Sequence, residues 1–287
     1  MSETWEQKAM QEFNREDYYA AYETFNGALF RKAQESLVGT QKLLTNVLKL
    51  FISKGLLHEA NLILDNFMNA IKRLRLPFET WYIVFLNAAE SIGEIPIASS
   101  LALKCIKLGI SGLKDKKLGE PREKAINLLQ KLASTTKESE KEANYLFLAM
   151  KYQLELNNVI EAEESVRYLF NKLSPQRDGL KGLKIASYLA LFHLLTKDID
   201  SAFEVLRTYR KQLPAEERKK AGKFPHFELA IECIQAFRSN SSLNVKLVDI
   251  RRRYAYLKDE LLSELLNKLG EDLSPPTDVS SFLGFPF

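Results

Sequence analysis

The histidine and cysteine residues carry the most reactive side chains of this chain, and their spacing predicts neither a catalytic site nor a metal site. His58, His193 and His226 lie far apart in the sequence. His58-Glu59 lacks the second histidine that completes a zinc-binding helix. Two cysteines and three histidines at these separations do not make a structural zinc site. We therefore predict no metal, no cofactor and no enzymatic activity.

Three of these residues lie within apolar helical patterns. Cys105 is found in Ala-Leu-Lys-Cys-Ile and Cys233 in Ile-Glu-Cys-Ile, which is typical of buried reduced thiols rather than of a disulfide. His193 lies in Ala-Leu-Phe-His-Leu-Leu, where a core imidazole is favoured over a metal ligand. Reduced thiols indicate a reducing compartment.

The sequence also lacks membrane and secretion signals. Its start, Met-Ser-Glu-Thr-Trp-Glu, has neither the basic residues nor the apolar run of a signal peptide. The longest nearly uncharged apolar run, residues 185–195, is shorter than the ~20 residues that span a bilayer. We expect a soluble cytosolic protein that does not insert directly into a membrane.

Phosphate-binding and nucleic-acid-binding patterns are equally weak. Gly179-Leu-Lys-Gly182 has the wrong count for either phosphate-binding glycine fingerprint. The formal net charge of +4 is mild. Basic residues are clustered at Lys114, Lys116, Lys117, at Arg218, Lys219, Lys220, Lys223, and at Arg251, Arg252, Arg253. We interpret these clusters as solvated faces, because no exposed aromatic residues are interleaved with them, and we predict no nucleic-acid partner.

The elements that position these residues are best recognised in the stretch 17–76. Its apolar residues recur at steps of three and four, which indicates amphipathic helices. The small residues Ala21, Ala60 and Ala98 recur at about 39 residues, the period of stacked helical pairs. We predict an all-α fold, a TPR-like α-solenoid of stacked helical hairpins in a single continuous domain.

Individual segments refine this prediction. Residues 36–40 are expected to form a turn before a helix that starts at residue 41. Residues 80–92 are predicted to form a core helix rather than a strand, and residues 120–157 contain either a divergent repeat or an added helix. The polar stretch 209–227 is predicted to be a long connection, a type of segment that often carries a binding surface. Residues 271–287 are predicted to be a flexible tail rich in proline and phenylalanine.

Four short motifs resemble those of one known family, Golgi to ER traffic protein four, in the same order. Asp17-Tyr18-Tyr19 with Ala21 and Arg31 is similar to its opening motif, and Phe51-Ile-Ser-Lys-Gly55 to its Phe-x-x-x-Gly turn. Lys117-Leu-Gly-Glu-Pro121 and the Pro-rich segment that begins at Ser274 also match. The sequence departs from the family at Ala20-Ala21-Tyr22, at Asn26, where the family has arginine, and in the length of the segment between Pro121 and Ala162.

The resemblance implies a right-handed α-solenoid that acts as a scaffold in the guided-entry pathway for tail-anchored membrane proteins. In that family the N-terminal helices bind the targeting ATPase, and the C-terminal half binds a ubiquitin-like adaptor or a BAG-type chaperone. Carried over to this chain, residues 1–110 would face the ATPase, with Tyr18, Tyr19 and Arg31 in the contact. Residues 111–270 would face the adaptor, for which the change of composition at 209–227 suggests Phe224, Pro225 and Phe227 as apolar anchors.

Two other functional hypotheses remain open at the level of sequence. The first is a helical-repeat scaffold of another complex, such as a proteasome-lid-like or trafficking assembly, for which a winged helix after Leu243 would be the sign. The second is a helical hydrolase or transferase, which a bound metal or nucleotide would support.

Overall fold

The computed structural model describes residues 4–113, 118–239 and 243–271, and within these ranges every regular element is helical. The fold-class prediction of an all-α stack of helical pairs is confirmed. The chain divides into two compact units, residues 1–152 and 153–287, with the division inside one helix. The partner-based division at 110/111 stays a prediction.

The first unit is built from eight described helices. They are α1 (Trp5–Asn14), α2 (Tyr18–Glu35), α3 (Leu37–Ser53), α4 (Leu57–Arg73), α5 (Phe78–Gly93), α6 (Ser99–Ser111), α7 (Gly119–Thr135) and α8 (Ser139–Glu155), which crosses the division. Among consecutive helices, α1 packs on α2, α2 on α3, α3 on α4, α5 on α6 and α6 on α7. Helix α2 also packs on α4, α4 on α6, α3 on α5 and α5 on α7. The buried alanines Ala21, Ala60 and Ala98 have no accessible surface, as the repeat pattern predicts.

Local signals account for the helix boundaries in this unit. Asp17 caps α2 by accepting a hydrogen bond from the Ala20 N–H at 3.2 Å. Gly55 ends the α3 turn with a φ of 74°, a conformation that costs glycine little. The predicted turn at residues 36–40 is wrong, because Ser36 alone separates α2 from α3 and its hydroxyl caps the Gly39 N–H at 3.1 Å. Residues 120–157 contain most of α7 and α8, and residues 80–92 lie in α5 as predicted.

The second unit is centred on the segment Pro175–Leu195, in which Gly179 interrupts the helix with a φ of 49°. Its described helices are α9 (Val159–Asn171), α10 (Pro175–Leu195), α11 (Ile199–Gln212), α12 (Ala215–Ala221), α13 (Pro225–Ser239), α14 (Leu243–Tyr254) and α15 (Glu260–Glu271). Helix α10 packs against α9, α11, α13 and α15, so it forms the core of this unit. The predicted small-then-large pairs, Ala162 with Val166 and Ala202 with Leu206, are fully buried.

The predicted long connection at residues 209–227 is not a loop. Residues 209–212 belong to α11, α12 occupies Ala215–Ala221, and α13 begins at Pro225. Proline and glycine punctuate this stretch as turn residues do, yet Tyr209, Leu213 and Ala221 are buried and hold it against the core. The predicted flexible tail lies outside the described residues, apart from Glu271 at the end of α15.

Candidate protein-binding surfaces

The adjacent tyrosines at the start of α2 lie in different environments. Tyr18 is half-buried, and its ring centroid is 5.1 Å from that of Phe13 in an edge-to-face arrangement. Tyr19 is 74% exposed. Adjacent residues on a helix point about 100° apart, which explains the difference. The structure thus leaves Tyr19, rather than Tyr18, accessible for contact with another molecule.

A second exposed feature is the contact between Arg31 of α2 and Trp5 of α1. Its guanidinium carbon lies 4.4 Å from the centroid of the Trp5 ring, a cation–π arrangement, and Trp5 is 42% exposed. Gly27 permits this contact, because a Cβ atom there would lie only 3.0 Å from Cζ3 of Trp5. We call Trp5, Gly27 and Arg31 the Trp5–Arg31 surface. It presents a planar cation that is already held in place by an aromatic ring.

The predicted ATPase-binding residues do not form one cluster. Tyr19 and Arg31 are twelve residues apart on α2, which corresponds to about 18 Å along the axis and a rotation of about 120°. Glu23, Asn26 and Phe30 follow Tyr19 at spacings of four, seven and eleven residues and therefore share its face. Arg31 instead belongs with Trp5 on a different face.

The Tyr19 side of α2 borders a groove against α4, which sequence reasoning missed. The groove has a volume of about 260 Å³ and is lined by Glu23, Asn26, Leu29, Phe30, Asn66, Phe67, Asn69, Ala70 and Arg73. We call it the α2–α4 groove. Neither Nδ2 nor Oδ1 of Asn26 is accessible or has a hydrogen-bond partner.

A signal for this groove was present in the sequence. The spacing of residues 19, 23, 26 and 30 defines a polar and aromatic stripe on α2, and three asparagines of α4 occur within nine residues, at 61, 66 and 69. Two of them are used inside the fold, since Asn66 Nδ2 donates to the Tyr22 hydroxyl at 2.5 Å and Asn61 Oδ1 accepts from Lys104 Nζ at 2.7 Å. The pairing of the two stripes depends on which helices are neighbours, which the periodicity does not specify.

The predicted adaptor-binding residues lie at the start of α13 in the second unit. Phe224 is half-buried and stacks on the His226 ring with centroids 5.5 Å apart, and Pro225 is half-buried as the first residue of the helix. Phe227 is buried, with the Arg210 guanidinium 5.5 Å from its ring centroid. Phe224 and Pro225 are therefore accessible in the free chain, whereas Phe227 supports them from the core. Their role in binding stays a prediction.

Directly beneath this site is a buried polar cluster around Asp259, which sequence reasoning also missed. Asp259 Oδ2 lies 3.2 Å from His226 Nε2 and 2.8 Å from Lys184 Nζ, and it accepts a hydrogen bond from the Tyr188 hydroxyl. Its Oδ1 caps α15 by accepting from the Leu262 N–H at 3.0 Å. We call these residues the Asp259 cluster. Apart from Leu262, the partners of Asp259 lie 33 or more residues away from it in the sequence. No short sequence motif therefore predicts the cluster.

The electrostatics of this cluster favour ionised Asp259. Burial opposes its ionisation, but hydrogen bonds from His226, Lys184 and Tyr188 outweigh that effect and hold its pKa well below the ordinary value. Burial, reinforced by the Asp259 charge, raises the pKa of Tyr188, which therefore stays a hydroxyl donor at neutral pH. Asp259 thus stays ionised and Tyr188 stays protonated, as their hydrogen bond requires, and the arrangement binds helices together rather than activating a nucleophile.

The cysteine thiols are also unsuited to chemistry. Cys105 and Cys233 are free and fully buried, as predicted. Burial raises the pKa of Cys105 to about 12 and raises that of Cys233 as well. The thiolate is the reactive form of cysteine, so neither side chain is a nucleophile in the folded chain. His193 is buried in α10 as expected.

The basic clusters are partly neutralised by neighbouring carboxylates. Arg253 is paired with Glu232 at 2.5 Å and with Asp249 at 2.9 Å, and Lys219 is paired with Glu216 at 3.0 Å. These contacts fit the interpretation of solvated faces. The cluster of lysines at positions 114, 116 and 117 lies outside the described residues.

Neither a metal-binding cluster nor a membrane-spanning helix is found among the described residues. No group of three or more histidine, cysteine, aspartate or glutamate side chains there has the geometry to hold a metal ion. Among the helices of the described ranges, none combines the length and the apolar character needed to cross a bilayer.

Comparison with known proteins does not assign a family. The chain matches no protein-family model, and a search of curated proteins finds no match either.

Proposed function

We propose that this chain is a non-enzymatic cytosolic scaffold for the delivery of tail-anchored membrane proteins to the endoplasmic reticulum. In this proposal the N-terminal helices bind a targeting ATPase, and the C-terminal half binds a ubiquitin-like adaptor or a BAG-type chaperone. The ordered motifs around Tyr18, Tyr19, Gly55 and Pro121 suggest this role. Stacked helical pairs offer the extended surfaces that a bridging protein needs.

The Trp5–Arg31 surface is the observation that carries the proposal. Arginine and tryptophan are enriched at the residues that dominate protein interfaces, and here the two are pre-assembled on the first two helices. An Arg31 that is already held over Trp5 loses less side-chain entropy on binding than a free one. A solvent-exposed cation at the rim also increases the association rate more than the affinity, which suits a factor that must release its partner.

Binding to the targeting ATPase tests the proposal directly. We would titrate the full chain against the ATPase with and without ATP, at 50 and 300 mM salt. Nucleotide-dependent binding that weakens with salt is expected, with Arg31→Glu reducing affinity at least tenfold. Lys107→Glu is the matched control, because it makes the same charge change at an exposed position of α6. Absence of binding in both nucleotide states, or equal losses in the two variants, would refute the assignment.

The adaptor-facing half needs a separate test, because Phe227 is buried. Phe224→Ala removes an accessible ring and should abolish adaptor pull-down while leaving the circular dichroism spectrum unchanged. Phe203→Ala is the control, since Phe203 is also half-buried and is covered by a cation, the Arg238 guanidinium, at 4.6 Å. Undiminished pull-down by the Phe224 variant would contradict the assignment of this surface.

A helical-repeat scaffold of another complex stays the alternative hypothesis. The winged helix that would indicate a proteasome-lid-like assembly requires strands, and the described residues after Leu243 form α14 and α15.

A further inference from the structure

Helix α14 carries two exposed valines beside a groove. Val245 and Val248 are 69% and 67% exposed, and because they are three residues apart they share one face of the helix. Val248 also borders a groove of about 350 Å³ between α14 and α15, which is lined by Asn244, Leu247, Val248, Arg251, Leu266, Asn267, Gly270 and Glu271. We call it the α14–α15 groove. Single exposed apolar residues are ordinary on a protein surface, but an exposed apolar pair at the edge of a groove is typical of a surface that binds another segment.

The packing of α14 leaves this surface open. Helices α13 and α15 are its main packing partners. Leu247 of α14 and Leu266 of α15 are buried, so the groove has an apolar floor. Ligand pockets have volumes of about 300–1,000 Å³, and the α14–α15 groove is large enough for an aromatic side chain. Within the described part of the chain no element covers Val245 or Val248.

Positive charge lies beside the exposed valines. Arg251 lines the groove, and Arg252 lies one turn after Val248 on the same face of α14. Both arginines are exposed, and neither forms an ion pair with another described residue, whereas the adjacent Arg253 is paired with Glu232. The surface thus combines apolar side chains with positive charge. It fits an apolar segment that also carries carboxylates.

The residues that follow α15 have this complementary composition. Residues 272–287, which lie outside the described part of the chain, read Asp-Leu-Ser-Pro-Pro-Thr-Asp-Val-Ser-Ser-Phe-Leu-Gly-Phe-Pro-Phe. They contain two aspartates and neither lysine nor arginine. We call residues 282–287, which include three phenylalanines and a leucine, the Phe-rich segment. The sequence 272–287 starts at the groove itself, because Gly270 and Glu271 belong to the groove lining.

We infer that the Phe-rich segment docks in the α14–α15 groove of its own chain. Residues 272–281 connect it to α15, and ten residues of extended chain reach about 33 Å. The lining residues of α14, from 244 to 251, cover about 10 Å of the helix axis, so the connection is long enough. Phenylalanine rings would fill the apolar floor of the groove, and Asp278 would lie within reach of Arg251 and Arg252.

Attachment to the same chain makes a weak contact sufficient. A short flexible connection gives an effective concentration on the order of millimolar, so the groove is occupied even when a separate peptide would bind poorly. Docking would cover the exposed valines of α14, as a terminal capping element does in stacked helical repeats. The inference does not depend on the proposed function, because it concerns a contact within the chain.

Disulfide trapping in the full chain tests this inference. The double variant Val248→Cys/Gly284→Cys places one thiol at the groove and one in the Phe-rich segment, and it retains all three phenylalanines. The two native cysteines are fully buried and do not compete. With oxidised glutathione we expect an intramolecular disulfide, detected by mass spectrometry of the non-reduced chain.

Ile160→Cys/Gly284→Cys is the matched control. Ile160 is 73% exposed, and it also lies close to the end of α15, because Lys268 Nζ contacts Asn157 Oδ1 at 2.6 Å. Trapping at Val248 should be at least tenfold faster than trapping at Ile160. Equal rates would overturn the inference. A disulfide-linked dimer as the main product would also overturn it, because the segment would then bind a second copy of the chain.

A third variant separates docking from proximity. Phe282→Ser, Phe285→Ser and Phe287→Ser, introduced together into the Val248→Cys/Gly284→Cys chain, should reduce the trapping rate to that of the control. The circular dichroism spectrum should stay unchanged, because the substitutions lie outside every described helix. An undiminished rate would contradict docking through the phenylalanine rings.

The contribution of charge has its own pair of variants. Arg252→Glu in the Val248→Cys/Gly284→Cys chain should slow trapping at least threefold at 20 mM salt, because it repels the two aspartates of residues 272–287. Lys211→Glu makes the same charge change at an exposed position of α11 and should leave the rate unchanged. Equal slowing by both variants would refute the local role of Arg252.

Discussion

The imidazole of His226 and the carboxylate of Asp259 are 3.2 Å apart, although 33 residues separate them. His226 lies in the first turn of α13, and Asp259 precedes and caps α15. Lys184 and Tyr188 bring α10 to the same carboxylate. One side chain therefore joins three helices of the second unit beneath the predicted adaptor-binding residues.

Removing the charge of Asp259 should destabilise the second unit. Asp259→Asn keeps the size of the side chain but removes the charge that Lys184 contacts, and because the Lys184 side chain is 33% exposed, the loss of these charge-assisted hydrogen bonds should cost about 1.5–3 kcal/mol. Hydrogen exchange measured by mass spectrometry should show faster exchange in α10, α13 and α15 at pH 7. Asp200→Asn is the control, because that side chain is 99% exposed. Equal exchange in both variants would contradict the role of the cluster.

The same cluster predicts a dependence on pH. The folded-state pKa of Asp259 is depressed, so the unfolded chain binds the proton more readily than the folded chain does. Its contribution to stability is therefore fully present above the unfolded pKa of about 3.9 and is lost as the pH falls below that value. The difference in unfolding free energy between the wild type and Asp259→Asn should shrink between pH 6 and pH 3. A difference that stays constant over this range would be inconsistent with the depressed pKa.

Gly182 is predicted to be intolerant of a side chain. A Cβ atom at this position would lie 1.7 Å from the hydroxyl oxygen and 2.6 Å from Cζ of Tyr209, a ring that is 2% exposed and cannot move aside. Overpacking of this kind costs about 1–3 kcal/mol, which exceeds the gain of about 1 kcal/mol from replacing glycine in a helix. Gly182→Ala should therefore lower the thermal midpoint of the second unit.

Gly270→Ala provides the matched control for this variant. Nothing lies within 4 Å of a Cβ atom at position 270, so alanine there should be neutral or stabilising. If differential scanning calorimetry gave the same midpoint shift for the two variants, the close approach of Gly182 and Tyr209 would not be what limits substitution.

The fold could be predicted from the sequence because its signals are local. The capping carboxylate of Asp17, the αL glycine at 55 and the recurring alanines each act within one helix or turn. Short loops then favour the packing of consecutive helices against each other. The turn predicted at residues 36–40 failed for the same local reason, because a single capping serine is enough to change helix direction.

The sites could be predicted only in part because they depend on contacts between distant segments. The exposure of Tyr19 follows from its position on α2, but the stacking of Arg31 on Trp5 requires the packing of α1 on α2. The Asp259 cluster and the α2–α4 groove combine residues from helices that are not consecutive. The prediction of a long connection at 209–227 was wrong because the prolines and the glycine of this stretch mark the ends of short helices rather than a loop.

The two cysteines should be unreactive in the folded chain. With its pKa raised to about 12, the Cys105 thiol is ionised to only about one part in ten thousand at pH 8. Ellman's reagent should therefore release almost no thionitrobenzoate from the native protein over an hour and two equivalents in 6 M guanidinium. Rapid native reaction of either thiol would show that its helix opens readily, contrary to its complete burial.

The contact between Gly27 and Trp5 gives a way to perturb the Trp5–Arg31 surface without changing its charge. In Gly27→Ala the new methyl group would lie 3.0 Å from Cζ3 of Trp5, and because that ring is partly exposed it can swing away at little cost. We expect helix α2 to gain up to about 1 kcal/mol while Trp5 leaves Arg31. Acrylamide quenching should then increase for Trp5, whereas Trp81, which is buried, should be unaffected. Weakened ATPase binding by this variant, despite its greater stability, would show that the aromatic support of Arg31 matters; binding equal to that of the wild type would mean that Arg31 acts through its charge alone.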